Sequence, residues 1–97
     1  MTYKNQVKKV KGRKNVDVFI FTLSTCGWCR KTKEFLKSMG IAYSYVDGDL
    51  LSDEDQSEVE KVFEEYETNA SFPKIIVDNK TVISGFDEKE LRKAIKK

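Results

Sequence analysis

The chain predicts a single α/β domain: a four-stranded mixed sheet with three helices, in the order β-α-β-α-β-β-α. Three observations carry this reading. A mostly β-branched and aromatic run, Val16-Asp17-Val18-Phe19-Ile20-Phe21, passes directly into an amphipathic helix pattern. A second strand and helix follow without a long linker. Two short apolar runs are then joined by Asp78-Asn79-Lys80, a tight turn of the hairpin kind. The β-α-β start requires a parallel pair with a right-handed crossover. The hairpin adds an antiparallel pair, so the sheet is mixed, with helices on both faces.

Each element has a local reason. Residues 16–23 form the first strand and read as buried on both faces. Thr25 is the expected N-cap of a helix from Gly27 to Met39, with Trp28, Phe35, Leu36 and Met39 as its apolar stripe. Arg30, Lys31, Lys33 and Lys37 cover the other side, and Gly40 is the expected stop. Ile41 to Val46 is the second strand, closed by Asp47-Gly48-Asp49. Ser52 or Asp53 caps a second helix to Glu67, its stripe being Val59, Val62, Phe63 and Tyr66. Asn69-Ala70-Ser71 is a loop. Phe72-Pro73 leads into the third strand, Lys74 to Val77, and Thr81 to Ser84 is the fourth. Gly85 breaks the run, and Asp87 opens a last helix with Leu91, Ala94 and Ile95 inward.

Composition narrows the class. The 97 residues are 39% hydrophobic and 35% charged, which suits one globular domain with a modest core. A net charge of +2, from 18 basic and 16 acidic residues, is too balanced to argue for a nucleic-acid partner. No apolar run reaches the roughly 18 residues of a membrane helix, and the start lacks the apolar core of a secretory signal. A cytoplasmic monomer is expected. Residues 1–15 read as a basic N-terminal extension and 16–97 as the domain. Lys4, Lys8, Lys9, Lys11, Arg13 and Lys14 lie in a stretch without an acid, as a frayed terminus or an arm for an acidic partner would. Residues 53–67 are the opposite, with Lys61 alone against eight acids.

The chemistry is concentrated in Cys26-Gly27-Trp28-Cys29, which holds both cysteines at a strand-to-helix junction. A C-x-x-C there is a thiol–disulfide redox signature of the thioredoxin type. At i and i+3 on a first helical turn, the two sulfurs project from one face and can close a small ring. Unpaired N–H groups and the helix dipole favour a thiolate at Cys26. Only a thiolate attacks a disulfide, which makes Cys26 the expected nucleophile and Cys29 the resolving thiol. No metal is expected, because a structural zinc needs four ligands and the chain has no other Cys and no His.

Joined to this junction, Phe72-Pro73 before the third strand and Ser84-Gly85-Phe86-Asp87 after the fourth resemble the glutaredoxin family over roughly residues 16–97. The resemblance implies a minimal thioredoxin-like fold and a cis bond at Phe72-Pro73. It also implies that the Phe72 backbone offers an N–H and a C=O to an extended substrate. Gly27, Trp28, Phe72, Pro73, Gly85, Phe86 and Asp87 are the substrate-binding residues it suggests. Asp87 matches the residue that meets the glutathione amine, although Asp is also an ordinary N-cap. Glutathione-using members resemble Cys-Pro-Tyr-Cys preceded by a lysine three residues before the first cysteine. Leu23 and Gly27-Trp28 stand at those positions here, which weakens the case for glutathione.

Ser84-Gly85-Phe86 is similar instead to redoxins that deliver electrons to ribonucleotide reductase and are recharged by a flavoprotein thioredoxin reductase. The implied activity is dithiol–disulfide exchange on protein disulfides, with no bound cofactor beyond the Cys26–Cys29 pair. A glutathione-dependent glutaredoxin and an iron–sulfur scaffold shared between two chains are the alternatives.

Overall fold

The computed structural model describes residues 6–13, 16–68 and 71–95. Its elements are β1 (Lys8–Val10), β2 (Val18–Thr22), α1 (Gly27–Ser38), β3 (Tyr43–Asp47), a 3-10 turn (Gly48–Leu50), α2 (Asp53–Glu65), β4 (Lys74–Val77), β5 (Thr81–Ser84) and α3 (Glu88–Ile95). Lys4, Lys14, Asn69 and Ala70 of the segments discussed above fall outside the described residues.

The sheet has five strands rather than the four expected, in the order β1-β3-β2-β4-β5. β2 and β3 run parallel around α1, whereas β4 pairs antiparallel with β2, and β5 antiparallel with β4. The additional strand comes from the basic extension. β1 pairs antiparallel with β3, Lys8 opposite Tyr45 and Val10 opposite Tyr43. Its two lysines are exposed and only Val10 is half-buried. Such a strand has no apolar alternation to read: Val10 alone of its residues packs against the core, and the rest is backbone pairing. Lysines on an edge also discourage further strands from adding.

The link after β1 is fastened as well. Arg13 donates its N–H to the Gly40 carbonyl at 2.7 Å and accepts from Ala42 at 2.9 Å. Gly12 lies so close that a Cβ there would sit 2.6 Å from the Ala42 nitrogen.

Two cores form because inward residues alternate along β2 and β4. Ile20, Ile75 and Val77 face Leu36 of α1 and Leu91 and Ile95 of α3. Phe21 and Ile76 face Val59 and Phe63 of α2. The site-bearing helix thus packs on one face of the sheet and the acidic helix on the other. α1 stops where Gly40 takes φ +69, with Gly40 and Ile41 donating back to Lys37 and Leu36. Asp78 and Asn79, at φ 54 and 60, make the tight turn of the β4–β5 hairpin.

Candidate dithiol site

α1 begins one residue later than a Thr25 cap would allow. Its N-cap is Cys26, in extended geometry, and the cysteine sulfur accepts the Cys29 N–H at 3.3 Å. A hydroxyl or carboxylate usually fills this role. Here a sulfur fills it, so the group that would carry the negative charge is itself the cap of the helix. The first turn holds no acid to oppose that charge.

The two thiols differ. Cys26 is half-buried, and Cys29 is buried at 1% exposure. Burial pushes the Cys26 thiol up, but bonding to the Cys29 thiol and to the N–H groups of Cys29 and Trp28 outweighs it. The net result lies below the ordinary 9.0. Burial is also the main influence on Cys29, reinforced by its hydrogen bond to Cys26 and by repulsion from the neighbouring thiolate. The Leu23 backbone and the Lys33 charge oppose these only in part, and the Cys29 thiol is pushed up to about 12.

The other residues singled out in the sequence fall into separate groups. Trp28, expected on the apolar stripe of α1, is 58% exposed. On the same first turn it is Cys29, one position on, that faces inward and is buried. The Trp28 ring stacks on Phe86 at 6.2 Å between centroids, with the Lys31 ammonium 4.8 Å above it. Phe72-Pro73 is cis, and Pro73 is buried. The Pro73 carbonyl accepts from Gly85, which takes φ +80 just after β5. Gly27 is exposed with open space around it.

Phe72 does not join Trp28 and Phe86. It packs on Phe63 at 5.7 Å, on the α2 side of the sheet. Asp87 is exposed and caps α3, its carboxylate accepting the Glu90 N–H at 3.1 Å.

Two contributors were missed by sequence reasoning. Asp49, read only as a turn residue, accepts both the N–H (2.8 Å) and the hydroxyl of Ser24, and so anchors the loop that leads to Cys26. The Ser24 hydroxyl and N–H hold its carboxyl below the usual range. Lys74 is fully buried and donates to Thr68, Ser71 and Ser84 at 2.8, 3.0 and 2.7 Å. It thereby ties the segment before Phe72 to the strand end before Gly85. A lysine opening an apolar strand was the available signal. Among the described residues no cluster of His, Cys, Asp or Glu is arranged to hold a metal, and no helix is long and apolar enough to cross a membrane.

A half-exposed thiol capping a helix, with a buried thiol one turn on at the end of a mixed sheet, is the arrangement of a candidate dithiol site on a thioredoxin-like fold. The Glutaredoxin family model matches residues 18–82, and the chain belongs to the glutaredoxin family. A glutaredoxin-like 8.6 kDa protein in the rubredoxin operon of Clostridium pasteurianum is 35% identical over 78 residues, covering 80% of this chain and 96% of that one. The crystal structure of a glutaredoxin from Methanosarcina mazei Go1 has a TM-score of 0.85 at 33% identity, covering 95% of this chain and 89% of that one. Methanoredoxin from Methanosarcina acetivorans has the same TM-score at 35% identity, covering 93% and 96%. The family's general chemistry is thiol–disulfide oxidoreduction.

Proposed function

We propose that the chain is a dithiol–disulfide oxidoreductase that reduces protein disulfides through Cys26 and Cys29. The asymmetry of the two thiols carries this reading: one is half-exposed and acidified, the other buried and held protonated. The Cys26 thiolate attacks one sulfur of a substrate disulfide. A Cys26–substrate bond forms, the substrate S–S bond breaks, and the second substrate sulfur leaves as a thiolate that takes up a proton. Cys29 then loses its proton and attacks the Cys26 sulfur, closing Cys26–Cys29 and releasing the first substrate sulfur. Two electrons have passed to the substrate.

A protein reductase of the thioredoxin-reductase type returns those electrons, and the chain needs no bound cofactor beyond its cysteine pair. Protein disulfides such as that of ribonucleotide reductase are the substrates this reading favours, met by a cytoplasmic monomer. A relative described as lying in a rubredoxin operon supports an electron-carrying role. The test offers oxidised protein in parallel to glutathione and to a thioredoxin reductase with its nicotinamide cofactor. Rapid reduction by the reductase, with Cys29→Ser trapping mixed disulfides on Cys26, is expected. Fast reduction by glutathione alone would replace this reading with that of a glutathione-dependent glutaredoxin.

A further inference from the structure

A cleft of about 320 Å³ opens beside the loop that carries Cys26. Its apolar lining is Leu23, Val59, Phe63 and Phe72, and its ionisable lining is Asp49 and Glu60, both exposed. Leu23 belongs to the nucleophile's own loop, since its carbonyl accepts the Cys26 N–H at 3.1 Å. Asp49 is oriented by its two bonds to Ser24, which fix a negative charge next to that loop. The acidic helix behind the cleft adds charge of the same sign, with Lys61 alone opposing eight acids over residues 53–67.

We infer that this cleft is a specificity subsite for a lysine or arginine side chain adjacent to the substrate cysteine. The inference rests on the dithiol reading above. Lysine and arginine each carry an aliphatic stem under a cationic head. The stem matches the apolar lining, and the head matches the two carboxylates. An anionic ligand meets the reverse. At position 23 this cleft has an apolar leucine, and its ionisable lining groups are acids. The acidic wall therefore draws basic segments of a protein substrate towards Cys26 and disfavours small anionic thiols.

The test uses three disulfide-bridged peptides identical except for Arg, Gln or Glu beside the cysteine, reduced by the full chain under single-turnover conditions. At low ionic strength the Arg peptide should react about ten-fold faster than the Glu peptide, as two exposed ion pairs worth a few-fold each would give. The ratio should fall towards unity in roughly 0.5 M salt, where screening acts over a few ångströms. It should also fall in Glu60→Gln and further in Asp49→Asn/Glu60→Gln. Glu60 is exposed, so the single variant should stay folded, as circular dichroism would check.

Equal rates for the Arg and Glu peptides at low salt would overturn the inference, as would a preference unchanged in the folded single and double variants. The Gln peptide separates the two readings. If it is reduced and no charge preference appears, the subsite alone fails. If none of the three is reduced, the dithiol reading fails and the subsite with it.

Discussion

One sulfur is both helix cap and candidate nucleophile, and this coupling has consequences in pH. Because the folded Cys26 thiol ionises below 9.0, its alkylation rate in the reduced protein should reach half its plateau below that pH. A midpoint at or above 9.0 would contradict the cap geometry. A depressed pKa stabilises the fold at pH above the unfolded value, and that contribution is lost as pH falls through the folded one. Cys29 has the opposite sign. The unfolded chain releases this proton from about 9 upward and the folded chain only near 12. The reduced protein should therefore lose stability across that window, and denaturant titrations at stepped pH should show a flatter decline in Cys29→Ser. Resolution needs the Cys29 thiolate, and Lys33, one turn further along α1, favours it electrostatically. Lys33 is positioned by Asp47 at 3.5 Å and by the Tyr45 ring at 3.9 Å. Lys33→Met should lengthen the life of the mixed disulfide by roughly three- to ten-fold, the scale of about 1 kcal/mol near a protein surface. A stopped-flow trace with unchanged decay would refute this. The cysteine pair was legible from spacing alone. Asp49 was not, because Asp-Gly-Asp after a strand has the composition of any turn, and its contact with Ser24 spans 25 positions.

Elements with a strong apolar period were readable, and those held by backbone contacts were not. α1 and α2 each expose an apolar stripe to a different face of the sheet, and the hairpin carries its own turn signal. β1 has neither, so the basic segment looked external to the domain although residues 8–10 complete the sheet. The Thr25 cap failed for a related reason. A capping preference ranks side chains, but the position of the first helical N–H groups decides which one is used, and here that is Cys26. The attachment of the extension is testable at Gly12. Alanine there would place a Cβ 2.6 Å from the Ala42 nitrogen and 2.7 Å from the Ile41 carbonyl carbon, neither of which is a flexible side-chain end. Gly12→Ala should destabilise the protein by about 1–3 kcal/mol, the range for overpacking a close approach. Urea unfolding would measure it, and an unchanged midpoint would mean that the extension is not held as described.

Around Cys26 the molecule presents two flanks of different chemistry. On one, exposed Trp28 stacks on Phe86 beneath the Lys31 ammonium, and Arg30 and Lys37 lie exposed on the same helix. On the other, Leu23 and Phe72 line a cleft with Asp49 and Glu60. The aromatic residues suggested for substrate binding, Trp28, Phe72 and Phe86, are thus divided, because Phe72 packs with the core on the α2 side and Phe86 with the core on the α1 and α3 side. In the proposed cycle a donor and an acceptor meet one sulfur in turn, and unlike flanks would let the two be recognised by different residues. Trp28 is the natural anchor for the donor, since a large exposed aromatic ring at an interface commonly supplies more than 1 kcal/mol of binding. Trp28→Ala should therefore lower kcat/KM for reduction by the protein reductase by about ten-fold, through KM. The same change should alter the Arg-to-Glu peptide ratio by less than about two-fold, because surface charge terms at the other flank are untouched. Glu60→Gln, which leaves the Asp49–Ser24 anchor of the Cys26 loop intact, should do the converse. Measuring both half-reactions in both variants completes the cross. If Trp28→Ala slowed the two half-reactions equally while leaving Cys26 alkylation intact, donor and acceptor would share one surface, and the division of the flanks would have no role in choosing between them.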